Sequence, residues 1–375
     1  TAGSPFSVPV RWYGRPLGAE APSPLAPRDS DTLRASLQLD GEFDSGWSWM
    51  GSLTYSENDR EVYQPDTISS RLSAALSGAG GPSGTESFSP FDPSANSPEL
   101  VEWLSYQTFT NKKTDLTVAD FVVSGDLFEM SAGPVGFAAG AQWREESYSA
   151  NRNELYTQSI DPNTGAIIPV DLIFLGGGLP VDESRDSYAV FAEAMFPLTS
   201  SLEANLAVRY ENLSSDSSLD PKLSLRWQAA DWLVLRASAS SAFREPSLVQ
   251  VYNQETSLQG LVDPASGSSS ALFVRVNSQG STALEPETST NFNMGAVFTP
   301  TDNLAVRVDY WRFEYEDVIT VENAQGKLND NPSGADIIRD SAGTLSGVNV
   351  AYLNAQEVTT DGIDVTADWT VSSDV

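Results

Sequence analysis

The 375-residue chain has no cysteine and no histidine. Without Cys there is no disulfide framework, no thiolate metal site and no thiol nucleophile. Without His there is no Ser-His-Asp triad, no H-E-x-x-H zinc site and no imidazole pH switch. Basic residues are scarce as well: 21 Lys+Arg stand against 51 Asp+Glu, a net charge of −30. The lysines are Lys112, Lys113, Lys222 and Lys327 alone. That balance argues against a nucleic-acid partner, because binding a phosphate backbone needs a basic surface. Long apolar runs are missing too, so no helix is expected to cross a membrane. Carboxylate pairs such as Glu145-Glu146 occur, but nothing in the sequence builds a pocket around them. The expectation is a protein that is not an enzyme, with no metal and no cofactor. Asn329-Asp330-Asn331-Pro332-Ser333-Gly334-Ala335-Asp336 has the look of a loose calcium loop. It lacks the spaced carboxylates and final Glu of an EF-hand and is read as an Asx-rich turn.

What the chain does have is strict alternation. Leu33, Ala35, Leu37, Leu39 and Phe43 share one face, and Arg34, Ser36, Gln38, Asp40 and Glu42 the other. A period of two means a strand with one apolar and one polar face. The same pattern holds for Leu202, Ala204, Leu206, Val208 and Tyr210 against Glu203, Asn205, Arg209 and Glu211, and for Leu223, Leu225 and Trp227 against Ser224, Arg226 and Gln228. Further runs at 46–56, 116–128, 134–147, 186–196, 232–240, 289–298, 303–313, 348–354 and 361–370 bring the expectation to about twelve strands and no amphipathic helix.

The connections alternate in length. Short ones, such as Asp44-Ser45-Gly46, Ser131-Ala132-Gly133 and Ala229-Ala230-Asp231, use turn-forming residues. Long polar segments fall at roughly 57–115, 148–185, 241–288 and 314–347; only the Asn212–Asp220 connection on that side is brief. Short turns at one end and long loops at the other describe an outer-membrane barrel rather than a soluble sandwich. Strands of about 10 residues tilted by about 40° cross the ~25 Å apolar band of such a membrane. Trp47, Tyr55, Tyr188, Phe196, Tyr210, Phe298 and Trp369 stand near the ends of the apolar faces, where aromatic girdles sit at membrane boundaries.

Ser241-Ala242-Phe243-Arg244-Glu245-Pro246-Ser247-Leu248 resembles the S-x-F-R-A-P-S-L box of TonB-dependent outer-membrane receptors. Leu284-Glu285-Pro286-Glu287-Thr288-Ser289-Thr290-Asn291 resembles the L-x-P-E-x-S-x-N start of that family's next strand. Val308-Asp309-Tyr310-Trp311-Arg312-Phe313 with Asp317-Val318-Ile319, and Asn354 with Thr360-Asp361-Gly362-Ile363-Asp364-Val365, resemble two further stretches. Gly41 to Trp49 and Ala138 to Glu146 look like family hairpins. The resemblance covers nearly the whole chain. It implies part of a 22-stranded barrel around a plug, with residues 1–375 as one partial barrel domain lacking plug, TonB box and last strands. It also implies a Gram-negative outer-membrane location, lipid around the barrel, and TonB as a partner reached through the plug. The cargo would be a small-molecule or oligomeric nutrient, of siderophore, cobalamin, carbohydrate or peptide type, carried by a monomer. The start at Thr1 and the stop at Val375, just after a strand-like run, fit an internal portion of a longer protein.

Candidate site residues fall into two sets. Phe243, Arg244 and Pro246, with Pro286 and Glu287, carry the family motif. Arg244 is expected to close a strand and pair with a carboxylate, or else to approach ligand or plug. Glu245 stands where the family has a small residue. Arg34, Arg144, Arg209, Arg226, Arg236 and Arg307 fall on polar faces and face the lumen. Pairing with Asp40, Glu203, Glu211 or Asp309 is the plain reading; guidance of an anionic ligand is the functional one. Haem importers of this family place a ligating His between the two boxes, and this chain has none. Asn212-Leu213-Ser214 matches a glycosylation sequon, uninformative in the Gram-negative protein that the resemblance implies.

Three rivals make different predictions. A passive channel of 12–14 strands requires a closed seam between first and last strands. An outer-membrane hydrolase leans on His. A secreted β adhesin requires polar residues on both faces, or two sheets covering each other. The acidic excess fits solubility of outer loops or attraction of cationic or metal-chelate ligands, and the sequence does not separate these.

Overall fold

The computed structural model describes residues 25–213 and 216–371. The chain ends and Ser214 of the sequon lie outside the described residues. In chain order the strands are β1 (Arg28–Glu42), β2 (Ser48–Thr67), β3 (Ser105–Met130), β4 (Gly133–Arg152), β5 (Ser159–Ile160), β6 (Ile167–Ile168), β7 (Val181–Thr199) and β8 (Leu202–Asn212). There follow β9 (Ser217–Ala230), β10 (Leu233–Arg244), β11 (Gln254–Leu261), β12 (Leu272–Gln279), β13 (Glu287–Thr301), β14 (Leu304–Val321), β15 (Ile337–Arg339) and β16 (Leu345–Trp369). Four short helices sit in the long loops: α1 (Ser69–Leu76), α2 (Pro98–Leu104), α3 (Leu248–Tyr252) and α4 (Ala324–Asp330).

Eleven long strands form one antiparallel meander in the order β1-β2-β3-β4-β7-β8-β9-β10-β13-β14-β16. Among the described residues β1 does not pair with β16, so the sheet is open. The alternation reading gives about twelve strands because it splits β16 into 348–354 and 361–370; the structure runs both through one strand. It also stops β2 at 56 and starts β3 at 116, whereas the ladder continues to the pair Thr67 and Ser105. Beyond the apolar band both faces of a strand are wet, so alternation fades while the backbone hydrogen bonds persist.

The apolar face of the meander is uncovered. Leu37 is 63% exposed, Met294 60% and Ile363 68%. No second sheet packs on it among the described residues, so the sandwich alternative fails on geometry. A belt of this size is incompatible with water and suited to lipid. Its borders are aromatic. Trp232 meets Phe298 edge-on at 5.3 Å at the short-turn end. At the other end the Trp143 indole N–H donates to Asp186 at 3.0 Å, and Tyr55 donates to Glu57 and Asp115 at 2.6 and 2.8 Å.

The long loops carry small cores of their own. Ala75, Phe88, Leu100 and Leu104 pack α1 on α2 at the tip of the β2–β3 hairpin. Ser97 caps α2 by accepting from the Leu100 N–H at 3.0 Å, with Pro98 in the first turn. Leu261, Val274, Val276, Leu328, Leu345 and Val348 form a second core. There β11 and β12 pair with each other, and β12 adds in parallel to the upper part of β16. The Asn329–Asp336 segment ends α4 and holds no metal-binding group of side chains among the described residues.

Asp263 staples this second core. Its carboxylate receives both guanidinium nitrogens of Arg339 at 2.7 and 2.9 Å and caps the turn at Ala265. The Arg339 hydrogen bonds hold the Asp263 carboxyl below the usual range, against the opposing effect of burial. A depressed carboxylate contributes stability above its unfolded-state value and loses it as pH falls through the folded one. Acidification below about pH 4 is therefore expected to loosen this core. The check is the distance between spin labels at Ser268→Cys and Ser341→Cys in the cysteine-free chain. It should lengthen on acidification, and D263N should lengthen it at neutral pH.

Candidate functional site

Strand parity sorts the charges. At the loop end of β1 and β2, Arg28 and Arg60 share the polar inner face with Arg34, while Asp29, Asp31, Asp59 and Glu61 occupy the outer one. Lys112 stands directly across from Arg60. At this rim of β1 and β2 those acids lie outside and the cations inside. A cavity of about 400 Å³ opens there, lined by Arg28, Arg60, Lys112, Glu255, Tyr156 and Tyr352 among others. Glu255 accepts from Lys112 at 2.5 Å and from Arg152 at 2.6 Å. Burial opposes its ionisation, yet these two cations hold its carboxyl below the ordinary range.

Glu255 is placed there by a loop-on-loop contact. Gly176-Gly177-Gly178 run against the backbone of residues 254–256. The Thr256 N–H donates to the Gly177 carbonyl at 2.9 Å, and Leu179 N–H to the Gln254 carbonyl at 3.1 Å. A Cβ at Gly178 would stand 2.5 Å from the Gln254 carbonyl oxygen and 2.7 Å from the Arg152 guanidinium. Only glycine admits so close an approach. Asp66 fastens the same loop by accepting from the Phe174 and Leu175 N–H groups at 3.1 and 2.7 Å.

Below the mouth lies a buried charge network. Glu211 is 3% exposed and receives Arg144 at 2.9 Å and Arg209 at 2.6 Å. Arg144 also meets Glu146 at 3.0 Å, and Arg185 meets Glu146 at 2.8 Å and Glu245 at 3.2 Å. Arg185 further donates to the Pro246 carbonyl at 2.6 Å. Glu245, at the position where the motif has a small residue, is the link between the box and the wall. Its charge needs a cationic wall to be tolerated at 8% exposure. Arg185 escaped the sequence reading because it lies above the alternating belt. Its direct pairing with Glu146 across β4 and β7 is visible only in the register.

The remaining arginines are distributed along the lower inner wall. Arg226 lies 3.8 Å from Glu203, Arg236 forks onto Asp309 at 2.6 and 2.7 Å, and Arg307 pairs with Asp368. Gly295 lies between Arg236 and Asp309 in the register, and its missing side chain leaves room for their contact. A wide inner-wall hollow of about 760 Å³ includes Glu203, Arg226, Arg236, Asp309, Trp311 and Asp364 in its lining. Arg34 has no ion-pair partner among the described residues.

The motif residues converge on a strand-end joint. Arg244 pairs with Glu287 at 2.5 Å, directly across the β10–β13 ladder. The other Glu287 oxygen accepts from the Ile319 N–H at 2.7 Å. Asn354 accepts from the Glu285 N–H at 2.9 Å and donates to the Glu285 and Asp317 carbonyls at 2.9 and 2.7 Å. Asp317 has φ of 55°, and the Asn354 contact serves its strained backbone. Phe243 and Pro286 flank this joint half-buried, and Pro246 is buried. Ser247 and Gln250 then close a capping box that starts α3. These residues position the return of the loop over the mouth.

Comparison with known proteins gives a consistent family. A family model described as "TonB dependent receptor-like, beta-barrel" matches residues 1–375. Heme/hemopexin utilization protein C of Haemophilus influenzae (strain 86-028NP) is 23% identical over 199 residues, 51% of this chain and 26% of that protein. A mutant of the ferric enterobactin receptor PfeA from Pseudomonas aeruginosa superposes with a TM-score of 0.60 at 17% identity, covering 91% of this chain and 41% of that one. The siderophore receptor PirA from Acinetobacter baumannii gives 0.55 at 16% identity, covering 90% and 42%. At these identities the solved structures share the fold, and the chain spans about two fifths of their length.

Proposed function

Because the chain belongs to the TonB-dependent receptor β-barrel family, we propose that it is the middle portion of a ligand-gated importer energised by TonB through a plug outside residues 1–375. Its place is the outer membrane of a Gram-negative cell, and members of the family are transporters rather than enzymes. The observation that carries the reading is the meander itself: an uncovered apolar belt outside, a charged wall inside, and long loops folded over one end. The two free strand edges support a larger barrel, since lipid cannot satisfy unpaired backbone groups. The passive-channel alternative needs a seam between β1 and β16 that the described residues lack. The curated relative has heme in its name, but this segment contains no His to ligate an iron.

The experiment is uptake by cells expressing the full-length receptor, with and without TonB. Labelled ferric siderophores, cobalamin, oligosaccharides and peptides would be offered in turn. Accumulation of one cargo is expected only where TonB is present. Equal flux without TonB would overturn the importer in favour of a channel.

A further inference from the structure

The lipid-facing side of the sheet is not uniform. On β10 the outward residues Ala237 and Ala239 stand between larger side chains on both neighbouring strands. In register, Leu225, Ala237 and Met294 form one row, and Leu223, Ala239 and Phe292 the next. Small residues between such rows leave a trough along β10, a hollow of about 530 Å³ on the outer face. Its walls, Leu223, Leu225, Phe292 and Met294, are exposed. The rows continue onto β14, where Tyr310 stands across from Met294 and Arg312 across from Phe292. Tyr310, Arg312 and Glu314 complete the lining toward the loop end. Arg312 pairs with Glu314 on its own strand and faces Asp361 across the ladder on β16. Asp361 is exposed and has no ion-pair partner among the described residues.

We propose that this trough seats an acyl chain of a zwitterionic phospholipid, with the lipid phosphate on Arg312 and its ammonium on Glu314 and Asp361. The chain follows from continuity. The trough is part of the uncovered apolar belt, so what enters it in a membrane is hydrocarbon. A chain lying over two alanines touches wall and floor together, and gains dispersion contacts that a flat belt does not offer. The headgroup follows from charge. One guanidinium beside two carboxylates complements a group with one anion and one ammonium. Glu314 is about 7 Å along the strand from Arg312, and Asp361 about 5 Å across the ladder. Arg312 is 44% exposed in its side chain, and its five donors exceed what Glu314 can accept. Tyr310 lies one step toward the belt centre from Arg312, and tyrosine marks the membrane boundary, so Arg312 stands at headgroup level. A purely anionic headgroup would leave both carboxylates without a partner. The inference needs the barrel in its membrane but neither TonB nor a cargo, so it stands apart from the importer reading.

The test is native mass spectrometry of the full-length receptor, stripped of lipid in detergent and titrated with phosphatidylethanolamine, phosphatidylglycerol, phosphatidylcholine and lipid A. Phosphatidylethanolamine is expected to bind most tightly, since its ammonium can donate to the carboxylates whereas choline cannot. A239L, which fills the trough, should weaken it by about 4-fold for each methylene pushed out of contact. R312Q should weaken it by about 10-fold, the scale of a lost charge-assisted hydrogen bond. E314Q should weaken phosphatidylethanolamine and strengthen phosphatidylglycerol, by about 3-fold each. V190L, on the outer face of β7 away from the trough, should change nothing. Equal binding of the four lipids, tighter binding of phosphatidylglycerol or lipid A, or binding indifferent to A239L or R312Q would overturn the proposal. So would a receptor dimer that A239L dissolves, which would give the trough to a second copy. Should R312Q fail to fold, the opposite responses of the two lipids to E314Q decide. The two readings fail separately. TonB-dependent uptake with equal binding of all four lipids sinks the lipid site alone. Selective phosphatidylethanolamine binding without any TonB-dependent uptake sinks the importer alone.

Discussion

Replacing Leu206 with Arg is expected to remove about 2–4 kcal/mol of stability from the membrane-embedded receptor, while Arg at the next residue, Ala207, should cost under about 1 kcal/mol. Leu206 is 49% exposed on the outer face of β8, between Ala194 on β7 and Leu223 on β9. It sits in the middle of the run Ala204, Leu206, Val208 and Tyr210, where lipid tails offer a guanidinium neither water nor partner. Ala207 faces inward, between Glu193 and Lys222. There an arginine finds water and a carboxylate. Urea unfolding of the full-length receptor in lipid vesicles reads the difference. Equal losses at the two positions would mean that the outer belt does not face lipid.

Glu211→Ala is expected to be nearly as damaging for a different reason. The carboxylate is 3% exposed and is the shared acceptor of Arg144 and Arg209. Its removal leaves two guanidinium groups inside the wall, and losing one partner of a buried pair costs about 3–5 kcal/mol. The intact network need not be a source of net stability, because desolvating its charges offsets much of their attraction. The double variant R209M/E211L should therefore recover most of the loss, to within about 1–2 kcal/mol of wild type. A double variant as unstable as E211A would show that the loss comes from Arg144, whose Glu211 partner the double variant does not restore. The same unfolding measurement applies.

How far the fold was legible follows from solvent. Within the lipid band each strand must show apolar residues outward and polar residues inward, so a period of two is written directly into Leu202 to Glu211 or Leu223 to Gln228. Above the band that rule lapses. The extensions of β2 to Thr67 and β3 from Ser105 were read as loop, although their ladder is unbroken. Helices α1 to α4 are five to eight residues long and owe their existence to contacts in the loop cores, not to any amphipathic pattern.

The site was legible in part. Parity put the six arginines on the polar face of their strands. Glu203 faces Arg226 directly across β8 and β9, whereas Asp309 meets Arg236 from two strands away, because Gly295 on the strand between leaves room. The motif residues Arg244 and Glu287 were recognisable 43 positions apart, but their direct pairing depends on register. Arg28, Arg60, Arg185 and Glu255 gave no sequence signal, since they lie above the band or on returning loops.

Alternation with long loops on one side is enough to point to an outer-membrane barrel, because few other folds need both. Tertiary structure alone decided where the charge goes. Asp29, Asp31, Asp59 and Glu61 turn outward while Arg28 and Arg60 turn inward, so three cations and one carboxylate line a cavity in a chain of net charge −30. Parity assigns each side chain a face. Which cations share a cavity, and which are already paired, depends on register between strands and on where the Gly176–Gly178 contact delivers Glu255. Those are distances between segments remote in sequence, and no local pattern encodes them.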